Sequence, residues 1–585
     1  MALTVRWWRR IPRWAWAATL TSALAMLWTW PLWASPGNLI PAGRWPPIYY
    51  TDANTFIWYL AWVPHAISSG ASPYVTHLLN YPAGASLAYP GPPLLWTTLL
   101  WPVTVWAGVV SGYDAWIVMA MVANGVAGCI ALGRWVRHGW VAVAGGILFA
   151  FSPYAVGEAM VGHPNLLAVP TIPLAALLLH ETLVRQRWRA RTVGLGWGAL
   201  LALQLLTAEE VAVMIVLVGG IAATGLAAAH PGQVRRRVRH VAGAALWALP
   251  PVVPVVALLG WYQLLAPGSI HGKLYAGGLF SMDPKAIFLP DIYSGVTLPA
   301  ITAFLTHHTP LPTEGVATVG IPLAIVLACL GRHPDPLTRL LLPLVAILVV
   351  LSLGPSLHLV GLPFSVPLPE AALSHLPILQ DLVPDRLAGV LDFLLILSLA
   401  TFSERLLVRT DPRGWWLVAA AAALSWMPLV PAPTQHAGEP ALFRSSLLTG
   451  KVVLVYPFAQ DGFGAASERW QAVGGLRFAL TGGYYQRTAA VGGAFPYGPP
   501  ATPLTDALYS ILKEGGRPRA TAALRRSTRH YLDVHHVNVV VVGPGTHWRR
   551  AATLMATLLH RPPTFELGAD VWPIRPRPSW HAVPP

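Results

Sequence analysis

Asp52 is the first residue of this chain that could do chemistry. It lies in Tyr49-Tyr50-Thr51-Asp52-Ala53-Asn54-Thr55-Phe56, about twenty residues past the first apolar run. Only 24 of 585 residues are acidic, so a carboxylate just beyond an apolar run is a conspicuous position. It reads either as a base or metal-holding carboxylate at a membrane surface, or as a helix N-cap. Other polar groups also break apolar runs. Glu158 and His163, followed by Pro164-Asn165, can hold a metal or a ligand hydroxyl, or can cap the two flanking runs. Glu209 and Glu210 are adjacent like charges, costly unless a cation, a donor or water meets them. Arg386, in Pro384-Asp385-Arg386-Leu387, suits a phosphate or pyrophosphate, or an ion pair with Asp385 or Asp381. Lys273 is a second phosphate candidate. If a divalent metal is held, the candidate ligands are Asp52, Glu209, Glu210 and His163.

These groups sit in a chain composed for lipid. Hydrophobic residues make up 55% and charged residues 11%, far below the charge of soluble domains. The 27 tryptophans suit the two bilayer interfaces. The net charge of +15 does not indicate nucleic acid, because the basic residues fall in short clusters between apolar runs. Cys129 and Cys329 both lie in apolar runs and form no metal motif. The sequence contains no Walker motif, no zinc motif and no Ser-His-Asp spacing. The N-terminal arginines precede the run 14–34, which reads as a retained anchor rather than a cleaved signal.

The basic clusters set the topology. Arg6–Arg13, Arg134–His138, Arg185–Arg191, Arg235–His240, Arg332–Arg339 and Arg405–Arg413 all belong inside if positive charge stays cytoplasmic. The apolar runs 14–34, 114–133, 140–157, 165–184, 192–208, 211–229, 241–265, 315–331, 337–353, 387–404 and 414–431 then give eleven spans. The N-terminus lies inside and the C-terminal region outside. Counting Pro93–Val110 as a span would break the parity, so it is expected at the interface or as a re-entrant segment. Asp52, Glu158, Glu209, Glu210, Asp283, Asp291, Glu314, Glu370, Asp381 and Asp385 then share the outer side. Carboxylates at membrane edges are a functional hypothesis by default.

Two domains are expected. Residues 1–431 form the membrane domain, with a long first outer loop at 35–113 that contains an amphipathic helix near Thr55–Ser68. Residues 432–585 read as a small soluble α/β domain. It has strands at Lys451–Pro457 and His536–Val542, and helices at Thr505–Leu512, Ala520–Tyr531 and Trp548–His560.

The layout resembles the GT-C superfamily of membrane glycosyltransferases. The similarity is carried by Thr51-Asp52-Ala53-Asn54-Thr55-Phe56-Ile57-Trp58, Leu79-Asn80-Tyr81-Pro82-Ala83-Gly84, Phe151-Ser152-Pro153-Tyr154 and Gly162-His163-Pro164-Asn165-Leu166. Ala208-Glu209-Glu210, Leu353-Gly354-Pro355-Ser356-Leu357-His358 and Pro384-Asp385-Arg386-Leu387 continue it. More narrowly, the chain is similar to bacterial GT-C-like proteins with a soluble C-terminal tail. The resemblance implies a polytopic α-helical protein of the plasma membrane that moves a sugar from a polyprenyl-phosphate-linked donor to a glycan, lipid or protein acceptor. It implies that Asp52 orients or deprotonates the acceptor. Arg386, or a metal, would meet the leaving phosphate, and Glu158, His163, Glu209 and Glu210 would line the pocket. Family members often carry two acids in the first loop, whereas here Asp52 has Asn54 beside it. The rival readings are a transporter or flippase, and a scaffold that keeps the fold without catalysis.

Overall fold

In the computed structural model each of the eleven apolar runs contains helix among its described residues. The structure describes residues 11–43, 51–266, 268–274, 280–290, 292–308, 319–332, 336–359, 362–376, 378–408, 412–490 and 493–574. Asp291, Glu314, Arg6, Arg9 and Arg10 lie outside the described residues, as does the start of the run 315–331. Six helices among the described residues are long and apolar enough to cross a membrane: Val109–Leu132, Gly139–Val161, Pro164–Arg185, Glu209–Ala229, Pro231–Leu265 and Pro384–Val408. Ile321–Leu330, Leu337–Ser352 and Gly414–Trp426 are apolar but shorter.

The segment 93–110 does not form a continuous helix. It breaks into Leu94–Leu99 and Trp101–Ala107, with Pro102 opening the second piece. Gly108 then turns at φ 88° before Val109–Leu132 begins. At about 1.5 Å per residue each piece is about 10 Å long, against a hydrocarbon core of about 30 Å. Neither piece can span alone.

Contacts divide the chain into two compact units. The first comprises Met1–Trp33, Ile117–Leu258 and Tyr275–Pro433. Its central helix is Ala388–Val408, which packs against Gly139–Ala150, Pro336–Ser352 and Pro412–Trp426. The most apolar stretch of Pro384–Val408 is 89% buried, whereas that of Pro231–Leu265 is 6% buried. The latter leaves Leu246, Val253 and Val256 bare, as a lipid-facing flank must. Ala190–Leu205 approaches this helix through Gly194 and Gly198, four residues apart. A methyl group on either would strike the carbonyl of Ala244 or Ala248. This is the small-residue contact by which membrane helices pack without a hydrophobic drive.

The second unit comprises Ala34–Trp116, Leu259–Leu274 and Thr434–Pro585, so the first loop groups with the C-terminal region. Its centre is a five-stranded sheet. Val452–Tyr456 pairs in parallel with Ala479–Leu480 on one side and Val539–Val542 on the other. Ala569–Pro573 and Thr564–Glu566 extend the sheet antiparallel. Alternation along Val452–Tyr456 fills both faces. Val453 and Val455 join Trp58, Trp62, Leu79 and Trp470. Leu454 and Tyr456 join Leu508, Ile511 and Leu554 of the helices on the other face. The two expected strands and three expected helices of the tail are all present. The expected amphipathic helix is Thr51–Ser68, and it is not amphipathic. Twelve of its residues are buried, because it is covered by Ala466–Val473 as well as by Leu94–Leu99 and Trp101–Ala107.

Candidate functional site

The structure distributes the candidate residues over both units. Glu158, His163, Asn165, Glu209, Glu210 and Arg386 belong to the first unit, and Asp52 and Lys273 to the second.

In the first unit, a break at Phe151-Ser152 separates Gly139–Ala150 from Pro153–Val161. Ser152 caps the second piece by accepting from the Ala155 amide, and Asp392 Oδ2 accepts from the Tyr154 amide at 3.2 Å. Gly162, at φ 97°, closes Pro153–Val161 and lets His163 fold back. His163 Nδ1 lies 2.8 Å from Glu158 Oε2. Arg386 Nη1 donates to Glu210 Oε2 at 2.5 Å, and Arg386 Nε is 3.9 Å from Glu158 Oε1. Glu210 Oε1 accepts from the Val383 amide at 2.7 Å. Glu158, His163 and Arg386 are all buried. Of the cation, donor or water that could relieve the Glu209-Glu210 pair, Glu210 meets a cation, Arg386, and a donor, the Val383 amide. Glu209 sits in the first helical turn, where negative charge is favoured. The ion-pair reading of Arg386 gains partners that lie far from it in sequence, Glu210 and Glu158. Asn165, two residues after His163, is half-buried.

In the second unit, Asp52 is half-buried in the first turn of Thr51–Ser68. That helix is fastened to Ala466–Val473 by a ladder of buried polar side chains. Arg469 Nη1 donates to Asn54 Oδ1 at 2.6 Å, Thr55 Oγ1 to Glu468 Oε2 at 2.8 Å, and Trp58 Nε1 to Gln471 Oε1 at 2.7 Å. Glu468 also accepts from the Tyr484 amide. Burial pushes the Glu468 carboxyl up to about 8, and the charge of Asp52 adds to this, while the Tyr484 and Thr55 donors oppose it. Burial lowers Arg469 to about 10. Burial also raises the Tyr59 phenol, and the charges of Glu468 and Asp52 add to that effect. Asp114 is 1% exposed, and its Oδ1 has no hydrogen-bond partner among the described residues. Asp52 thus has carboxylate company that the first loop alone does not display. Glu468 arrives from the C-terminal region.

Aromatic and amide groups flank this cluster. Tyr484 and Tyr497 stack at 4.8 Å and 10°, and Gln486 Nε2 donates to Tyr497 Oη at 2.8 Å. Lys273 is held by its backbone next to this segment. Its amide donates to Gly493 O at 3.1 Å, and its carbonyl accepts from the Phe495 amide at 2.8 Å. Among the described residues no group of three or more His, Cys, Asp or Glu side chains is placed to hold a metal ion.

Helices of this length and apolarity make the chain a multi-pass membrane protein. The DUF6311 family, described as a domain of unknown function, matches residues 52–427, and the chain belongs to that family. The cryo-EM structure of the arabinofuranosyltransferase AftD from mycobacteria matches 98% of this chain at 16% identity with a TM-score of 0.53. The chain spans 40% of that protein's length. The crystal structure of the oligosaccharyltransferase of Archaeoglobus fulgidus, tethered to an acceptor peptide, matches 91% of this chain and 69% of its own at 11% identity, with a TM-score of 0.42. No curated protein matches the chain.

Proposed function

We propose that the protein is a glycosyltransferase that moves a sugar from a polyprenyl-phosphate-linked donor to an acceptor hydroxyl or amide. The observation that carries this reading is the Asp52 cluster, a half-buried carboxylate in a helix's first turn backed by buried Glu468 and stacked tyrosines, set in a GT-C-like fold. In the reaction, Asp52 takes the acceptor proton as the acceptor atom bonds to the anomeric carbon. The bond from that carbon to the phosphate oxygen breaks, and polyprenyl phosphate leaves with the electron pair. Lys273, in the same unit, is the proposed partner of the phosphate charge. Any divalent metal would join Asp52 there as a Lewis acid.

Arg386 is already committed to Glu210 and Glu158. We read that network as the electrostatic lock of the first unit; a phosphate there would have to replace a carboxylate as the guanidinium's partner. Eleven spans, a cytoplasmic N-terminus, an outer C-terminal region and residence in the plasma membrane complete the proposal, on the support of the arginine clusters.

The test uses the full chain in nanodiscs with a panel of polyprenyl-phosphate-linked sugars and hydroxyl or amide acceptors, reading polyprenyl phosphate release. Asp52→Asn should lower the rate by about 10²- to 10⁴-fold. An unchanged rate in that variant sinks the assignment.

A further inference from the structure

Eight arginines fall between residues 517 and 561, against a single acid, Asp533. The fold gathers three of them at one groove of about 400 Å³. Arg517 comes from the turn after Pro503–Glu514, while Arg549 and Arg550 come from the first turn of Trp548–Leu559. The groove's floor includes Ile511 and Leu554, both buried. Its shape is fixed rather than incidental. Gly515 ends Pro503–Glu514 at φ 64°, and an added methyl there would meet the Arg550 guanidinium and the His547 ring. The same guanidinium donates to the Gly515 carbonyl, and Arg549 stands over the Trp548 ring at 5.4 Å. Arg517 and Arg549 are exposed at the rim.

Three guanidinium groups around one groove repel each other and raise a local positive potential. An anion relieves both effects. Guanidinium is matched to phosphate by its planar pair of donors. An apolar floor under a cationic rim suits a ligand that joins a phosphate to a ring or chain. The volume falls in the small-molecule range of about 300–1,000 Å³. We propose that this groove binds a phosphate-bearing small molecule, supplied either in solution or as a phospholipid headgroup. The site is independent of the Asp52 reading and stands or falls separately.

The experiment titrates inorganic pyrophosphate into the full chain held in phosphatidylcholine nanodiscs, by calorimetry. Saturable one-to-one binding is expected, weakened about tenfold by Arg517→Ala or Arg549→Ala. Arg526→Ala, on the exposed side of Ala522–Val534, should leave it unchanged. Repeating the titration in nanodiscs containing phosphatidylglycerol separates the sources. Retained binding points to a soluble phosphate ligand, and competitive loss points to the headgroup. Absence of saturable binding in phosphatidylcholine overturns the site. So does equal weakening by Arg526→Ala, which would reduce the groove to diffuse charge attraction.

Discussion

Among the places where the protein buries acidic side chains, two are treated differently. In the first unit, Glu210 and Glu158 flank Arg386, so charge is met by charge. In the second, Glu468 is met by neutral donors, the Thr55 hydroxyl and the Tyr484 amide. Asp52 stands near enough to raise the Glu468 pKa further. A guanidinium partner favours the charged form of a carboxylate. A carboxylate that is buried beside a second acid, with no cation to meet it, has its proton affinity raised even though neutral donors oppose the rise. The contrast suggests that the first cluster is architecture and the second is chemistry.

The sharpest way to break this contrast is to remove the guanidinium. Arg386→Met leaves Glu210 and Glu158 buried without their counter-charge. It should destabilise the protein by about 3–5 kcal/mol, read from thermal unfolding in detergent. Adding Glu210→Met should restore much of the loss, because an apolar pair of similar volume avoids the desolvation cost. If Arg386→Met instead unfolds at the wild-type temperature but abolishes sugar transfer, the lock reading fails and the phosphate role gains.

The second cluster should answer to pH. Glu468 titrates near 8 when folded and has an ordinary value of 4.5. Between those values the folded protein holds a proton that the unfolded chain has released. Stability contributed by that group is therefore present below about 4.5 and is lost as pH rises toward 8. The slope for one group is at most about 1.4 kcal/mol per pH unit. Glu468→Gln removes the dependence. The unfolding temperature of that variant, relative to wild type, should climb between pH 5 and pH 8. A constant difference across that window would show that Glu468 does not hold a raised pKa.

The sequence displayed one side of this comparison better than the other. Apolar runs and tail strands were legible because period and hydropathy are local properties, and each expected run met a helix. Glu158, His163, Glu210 and Arg386 stood out as polar groups interrupting apolar runs, and the structure brings these four together. Their mutual pairing was not legible, since Glu210 and Arg386 are 176 positions apart. Glu468 was missed altogether. Ser467-Glu468-Arg469-Trp470-Gln471 reads as an ordinary surface turn of helix, yet all five residues are buried. Only the complementary run Asn54-Thr55-Phe56-Ile57-Trp58, over 400 residues earlier, explains why. The signal available was the spacing of Asn54, Thr55 and Trp58, polar groups on a helix otherwise apolar all round. Such a helix is buried on every side and needs a partner for each polar group.

That ladder offers the finest test. Thr55→Val keeps the shape and removes the donor to Glu468 Oε2. While Glu468 is protonated, the loss should be that of a neutral hydrogen bond, about 1 kcal/mol. As Glu468 ionises above about pH 8, the missing donor faces a charge, and the loss should rise to about 1.5–3 kcal/mol. Thr55 also helps hold the Glu468 pKa down, so the variant's proton release should move to higher pH than in wild type. Unfolding temperatures of the two proteins, measured from pH 6 to pH 9, should therefore diverge as pH rises. Parallel curves would mean that Thr55 meets a group whose charge does not change. Glu468 would then belong with the charge-matched acids of the first unit, and the proposed chemistry at Asp52 would lose its second carboxylate.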